Sequence, residues 1–230
     1  MNEPHIAVGP LEQDADFELS FRVRQPVPVA PKSCVVLLHG VGGNEMNLAD
    51  AAAKMNADTL VVLARGRLQM GAGQFAWFRV SFTASGPRIV ATEAEESRST
   101  LIRFVEQIQR KHGIAPAKTV IAGFSQGGIM SASVALSAPE LVAGFAILSG
   151  RILPELEPQL ASAARLASLR AFIGHGELDG TLPVIWAQRS EEWLKKLGVA
   201  FVSRRYPIDH SISSEMQSDV LQWVRELTSD

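Results

Sequence analysis

An apolar run, Thr119 to Gly123, ends in Gly123-Phe124-Ser125-Gln126-Gly127, and a run at helical spacing, Gln126 to about Ala138, begins inside the same five residues. No loop separates the two, so strand and helix must reverse direction in one tight bend. That is possible only where two glycines let the backbones approach closely. Short runs of β-branched and aliphatic residues alternate with longer helical segments along the rest of the chain. This pattern predicts an α/β protein: a mostly parallel central sheet with helices on both faces.

In chain order, Phe17 to Val23 alternates like a half-exposed edge strand, and a Pro-punctuated connection follows from Pro26 to Pro31. Cys34 to Gly40 is apolar on both faces, as an interior strand must be. A helix is predicted at Asn47 to Met55, a strand at Thr59 to Ala64, and then a long loop containing Gly66, Gly71, Gly73, Gly86 and Pro87. The next helix runs from Thr92, read as its N-cap with Glu95 three residues on, to His112, and Gly113 stops it. Further strands are expected at Val142 to Leu148, Arg170 to Ile173 and Val199 to Tyr206, with helices at Pro183 to Leu197 and Ser213 to Leu227. With no repeat or long linker, residues 1–230 read as one domain, with 1–16 a flexible N-terminal segment and 150–168 a short cover over one end of the sheet.

The 230 residues carry a formal charge of -2. There is no basic footprint for nucleic acid and no polybasic stretch for anionic lipid, so small molecules are the expected partners. The N-terminal residues have no secretory pattern, and no apolar run is long enough to span a bilayer, so the expectation is a cytoplasmic protein without integral membrane association. Cys34 is the sole cysteine, which excludes an internal disulfide and a cysteine-based metal site and fits a reducing compartment.

A serine hydroxyl is a poor nucleophile until a base takes its proton. In a strand-to-helix turn of the form G-x-S-x-G the serine is lifted above the sheet, and Gly123, Ser125 and Gly127 fit that form. The Gln126 amide then lies at a helix N-terminus, where unpaired N-H groups favour negative charge. His39-Gly40-Val41-Gly42-Gly43 ends an interior strand, where a second oxyanion amide is supplied in such sheets, and that amide is assigned to Val41. His39 itself reads as scaffold. Asp179 and His210 both follow predicted strands, in the order an acid and a base take after such a serine. Asp179 would hold the imidazole and His210 would carry the proton. Glu177 and Asp209 are the competing acids, ranked below Asp179. His5, His112 and His175 are set aside by position, although His175 could line the site.

Four ordered elements, "LLHGVGG", "GFSQGGIMS", "HGELDGTLPV" and "DHSIS" before a helix, resemble the carboxylesterase and phospholipase family of small α/β-hydrolases that includes the acyl-protein thioesterases. The likeness runs from about Cys34 to Trp223, and Trp77-Phe78 resembles the family's stretch after the third core strand. The resemblance implies the α/β-hydrolase fold and hydrolysis of carboxylic esters or thioesters through an acyl-serine, with no metal or organic cofactor and little or no lid. It also leaves a homodimer open. Departures cluster near the mouth of the site: Ile208-Asp209 before the last histidine, Asn44-Glu45 after the oxyanion glycines, and Arg79 after Trp77-Phe78.

For the acyl site, Trp77, Phe78, Ile152, Leu153 and Leu182 are the apolar candidates. Arg79 and Arg151 are cations able to meet a charged substrate group, with solvation at the surface as their default reading. Serine carboxylesterase is the leading function, with lysophospholipase or acyl-protein thioesterase specificity as variants. Lactone hydrolysis of the dienelactone hydrolase type, cofactor-free perhydrolysis and a catalytically silent binding module are the alternatives.

Overall fold

The computed structural model describes residues 7–83 and 86–229, the side chains of 82–87 excepted. Its first elements are β1 (Phe21–Val23), β2 (Ser33–Leu38), α1 (Ala49–Ala53), β3 (Thr59–Ala64), β4 (Leu68–Gly71), β5 (Gln74–Ala76), β6 (Val80–Thr83) and β7 (Gly86–Ile89). There follow α2 (Ala91–His112), β8 (Thr119–Phe124), α3 (Gln126–Ser137), β9 (Gly144–Leu148), α4 (Ala163–Leu166), β10 (Arg170–Gly176), α5 (Ile185–Leu197), β11 (Ala200–Tyr206) and α6 (Ser214–Thr228). A seven-stranded sheet has the order β1-β3-β2-β8-β9-β10-β11. Only β1 is antiparallel to its neighbour; every other pairing in this sheet is parallel.

Successive side chains of a strand point to opposite faces, so a strand covered on both sides must be apolar throughout. β2 and β3 are buried at every residue. Val36 and Leu38 join the cluster under α2, α3 and α5, whereas Val35 and Leu37 join the one under α1 and α6. Ser213 caps α6, its hydroxyl accepting from the Met216 amide at 3.1 Å. The buried positions Met216, Val220, Trp223 and Val224 then recur on one stripe facing the sheet. The capped helix is thereby fixed directly behind the segment that carries His210.

Several expectations are corrected by packing. Phe17 to Val23 shortens to β1, whose Phe21 and Val23 are buried because residues ahead of it pair with the strand. Gly9 and Glu12 donate to Val23 and Phe21, and the Gln25 amide to Ala7, so from residue 7 onward the supposed flexible segment is tied to the sheet. Residues 1–6, with His5, lie outside the described residues. The helix expected at Asn47 to Met55 divides into a 3-10 turn, Glu45–Leu48, and the short α1. The long loop contains two small hairpins, β4-β5 and β6-β7. Thr92 lies inside α2, whose N-cap is Val90 with no side-chain cap bond. Gly113 does end that helix, at φ 65. The cover segment is a 3-10 stretch, Pro154–Gln159, and α4, with Leu156 and Leu166 buried in the core.

Helix α3 lies so close to the strand ends that a methyl at Gly127 would fall 2.0 Å from the Leu38 carbonyl oxygen, and one at Gly123 2.3 Å from the Gly127 carbonyl carbon. Both neighbours are backbone and cannot swing aside. Gly127→Ala should therefore cost about 3 kcal/mol or more, or prevent folding, beyond the range of ordinary overpacking. Gly180→Ala, where the added methyl meets nothing within 4 Å, should stay within about 0.5 kcal/mol of the parent. Equal urea midpoints for the two variants would contradict this reading.

Candidate active site

Ser125 stands between β8 and α3 with φ 54, a left-handed conformation that is strained for a residue with a side chain. Its amide donates to Leu148 (2.8 Å) and its carbonyl accepts from Ile129 (3.1 Å), so both ends of the turn are pinned. The hydroxyl lies 2.9 Å from His210 Nε2, and His210 Nδ1 lies 2.7 Å from Asp179 Oδ2. An ionised carboxylate can only accept. Nδ1 therefore carries the hydrogen, and the lone pair of Nε2 faces the serine. The Phe124 ring packs beside the imidazole, with centroids 4.9 Å apart.

The acid is held as firmly as the serine. Asp179 Oδ1 accepts from the amides of Thr181 (2.9 Å) and Leu182 (2.8 Å), leaving Oδ2 for the imidazole. Glu177 and Asp209 are both exposed, and neither bonds His210. The loop bearing His210 rests on the acid loop through Leu178 N to Ile208 O (3.0 Å). Gly176 permits that contact, since a methyl there would lie 2.4 Å from the carbonyls of Ile208 and Asp209.

The amides expected to meet an oxyanion are those of Gln126 and Val41. Gln126 is the first residue of α3, and Val41 follows β2 in the adjoining loop. Among the described residues neither amide has a hydrogen-bond acceptor. His39 joins this loop to the start of the hairpin region: Gly66 N donates to its Nε2 at 2.9 Å, so Nδ1 donates to Gly40 O at 2.7 Å. Burial lowers the pKa of His39 and keeps it neutral. It is scaffold.

A cavity of about 260 Å³ opens at Ser125, walled by Val41, Phe78, Val80, Ile89, Ile129 and Leu182 together with Arg151. A second, of about 520 Å³, shares Gly40, Val41, Phe124 and His210 with it and extends past Gly42, Gly43 and Asn47. Of the apolar candidates, Phe78 and Leu182 reach the first cavity, whereas Trp77, Ile152 and Leu153 lie in the core behind it. The Trp77 indole donates to the His39 carbonyl at 2.9 Å. Its backbone is gripped by Gln126, whose side chain accepts from Trp77 N (2.7 Å) and donates to Phe78 O (2.6 Å). Sequence reasoning used only the Gln126 amide and missed this clamp. Nothing local in the sequence signals it, because the partner lies 49 positions away.

Glu45 reads in sequence only as a departure, yet it ties the loop that carries Val41 to Arg22 and Arg65. Its buried carboxylate takes Arg65 at 2.7 and 2.8 Å and Arg22 at 2.8 Å. Burial opposes its charge, but hydrogen bonds from Arg65 and Arg22 prevail and hold the carboxyl at about 2. Arg79, by contrast, is exposed and paired with Glu93.

A parallel sheet crossed by a tight strand-serine-helix turn, with an acid and a histidine delivered by later strand ends, defines the α/β-hydrolase class. The chain belongs to the phospholipase/carboxylesterase family, whose model matches residues 23–228. Acyl-protein thioesterase 1 of Kluyveromyces lactis is 25% identical over 213 residues, 84% of this chain and 91% of that protein. A carboxylesterase from Mesorhizobium loti has the same fold, with TM-score 0.79 and 23% identity over 94% of this chain and 99% of that one. The esterase PE8 gives TM-score 0.76 and 25% identity over 89% and 97%. Among the described residues no helix is long and apolar enough to cross a membrane.

With its folded pKa below the ordinary value near 4.5, Glu45 contributes stability that is fully present above that pH and lost as pH falls toward about 2. The span corresponds to about 3 kcal/mol at most. Glu45→Gln should lower stability at neutral pH by about 1–3 kcal/mol and flatten the acid limb between those values. Parallel stability curves against pH for parent and variant would remove Glu45 from this role.

Proposed function

We propose that this hydrolase cleaves carboxylic esters or thioesters through an acyl-serine intermediate, with Ser125 as nucleophile, His210 as base and Asp179 as its orienter. The observation that carries the reading is the unbroken chain from Asp179 Oδ2 through His210 to Ser125 Oγ at 2.7 and 2.9 Å. As Oγ attacks the carbonyl carbon, Nε2 takes the hydroxyl proton and the resulting imidazolium is stabilised by Asp179. The carbonyl oxygen gains the charge and is met by the amides of Val41 and Gln126, the latter aided by the positive end of α3. Collapse breaks the C-O or C-S bond, and His210 gives its proton to the leaving oxygen or sulfur. Water then attacks the acyl-serine, His210 takes its proton, and Oγ leaves with that proton returned.

The small apolar cavity suits the acyl part, with Phe78 and Leu182 as walls. The wider space past Gly42 and Gly43 suits the departing alcohol or thiol. Thioesters are included because the relative from Kluyveromyces lactis is named as an acyl-protein thioesterase. The reading covers one domain acting in the cytoplasm on a small-molecule substrate, and a buried Cys34 with its thiol pushed up to about 12 is inert there. A homodimer is the assembly the family likeness suggests, which sedimentation decides.

Ser125→Ala should abolish both fluorophosphonate labelling and the burst of nitrophenol from para-nitrophenyl butyrate. Asp179→Asn should lower kcat by roughly a hundredfold to ten-thousandfold while KM changes little. A burst surviving in Ser125→Ala would refute the assignment.

A further inference from the structure

Among the described residues two arginines are buried, and they are treated differently by the fold. Arg24 is satisfied by carbonyls, donating to Met55 at 2.6 Å, Thr59 at 2.7 Å and Asn56 at 2.8 Å. Among the described residues the Arg151 side chain, only 6% exposed, has no hydrogen-bond acceptor and no carboxylate paired with it. Glu155 is the acid that acts on its charge, but it is exposed and forms no bridge. Burial lowers the pKa of Arg151 against the opposing pull of Glu155, and the neighbouring Arg189 adds a further lowering. A cation so placed is costly unless something pairs with it.

Its position is fixed by the fold. The guanidinium carbon sits 4.4 Å from the centroid of the Trp186 ring. Stacking uses the face of a guanidinium and leaves its in-plane N-H donors free. Ser190 ties this stretch to α5, its hydroxyl accepting from the Ile152 amide at 3.2 Å and donating to the Trp186 carbonyl at 2.9 Å. The preceding residue, Gly150, abuts the nucleophile turn, where an added methyl would lie 2.9 Å from Ser125 O. Arg151 lines the same cavity as Ser125 Oγ and His210. The sealed side-chain polar atoms without partners are Ser149 Oγ and His175 Nδ1. The Arg151 nitrogens are not among them, so they are not sealed, and the residue that carries them lines the cavity.

We infer that Arg151 is a specificity-determining residue that pairs with a carboxylate carried by the substrate, so that esters or thioesters of carboxylate-bearing molecules are preferred over neutral ones of the same size. The inference rests on the ester-hydrolase reading above and deepens it. A planar carboxylate matches the guanidinium fork and brings one negative charge, which one cation neutralises. A dianionic phosphate would leave a charge uncompensated among Phe78, Ile89 and Ile129. The carboxylate can reach Arg151 from the acyl chain or from the alcohol, and these two sources call for separate substrates.

The test compares kcat/KM for para-nitrophenyl butyrate, para-nitrophenyl hemiglutarate, and the butyryl ester of meta-hydroxybenzoate beside that of its methyl ester. In the parent, the anionic member of at least one pair should be favoured. Arg151→Met, which keeps an apolar stem against Trp186, should reduce that preference, read as the ratio of kcat/KM within a pair, by about tenfold to a hundredfold, chiefly through KM. Arg151→Lys should restore part of it. An effect confined to the hemiglutarate pair places the carboxylate on the acyl chain, and one confined to the hydroxybenzoate pair places it on the alcohol. Equal losses for charged and neutral substrates would reduce Arg151 to a structural prop, and no change in either pair would leave it an ordinary cation. Either result overturns the inference. If the parent hydrolyses no ester and Ser125 takes no fluorophosphonate, the fault lies in the ester-hydrolase reading instead.

Discussion

The backbone of Ser125 occupies a region that costs a side-chain-bearing residue about 1–3 kcal/mol, and the site depends on that conformation being held. Three contacts hold it: the Ser125 amide on Leu148, the Ile129 amide on Ser125, and the seating of Gly127 against the end of β2. Leu38, which receives Gly127, is followed directly by the loop that carries Val41. The contact that sustains the strain therefore also sets how far the loop amide lies from the serine. Position of the Ser125 hydroxyl and position of the Val41 and Gln126 amides are one structural variable.

Polar wiring behind the cavity extends the same control. Gln126, at the N-terminus of α3, grips Trp77 and Phe78; the Trp77 indole grips His39; His39 grips Gly66. Each member is buried, and each of these donors has an acceptor, so the network avoids the penalty of an unmade bond. The far end is secured by Glu45 between Arg22 and Arg65. Phe78 thus reaches the cavity wall on a backbone anchored to the same helix that presents the serine.

This wiring explains which parts were legible in the sequence. Interior strands such as Thr59–Ala64 are readable because burial on both faces demands an unbroken apolar run. Ser125, Asp179 and His210 are named by their order after strand ends, which is a property of topology. Trp77 is different: an aromatic residue in a loop looks the same in sequence whether it lines a cavity or fills the core behind one. Arg151 is different again. A cation after a strand ordinarily reads as solvated, and only the arrival of Trp186 on α5 shows that it is covered. Thr92 reads as a cap because a capping pattern recurs inside a helix as easily as at its end, whereas Val90 begins α2 without a side-chain bond.

Charge must also be kept off every group around the serine that does not use it. Three histidines lie close to this chemistry, and two are fixed as neutral. His39 accepts from Gly66, while His175 gives its Nε2 hydrogen to the Leu182 carbonyl at 2.7 Å, and burial lowers the pKa of both. His175 also lies 3.5 Å from Asp179 Oδ2. Were it to ionise there, it would compete with His210 for the carboxylate. Holding it neutral leaves that carboxylate to the His210 Nδ1 hydrogen. Within the first cavity, Arg151 then remains a buried cation with no carboxylate bonded to it among the described residues.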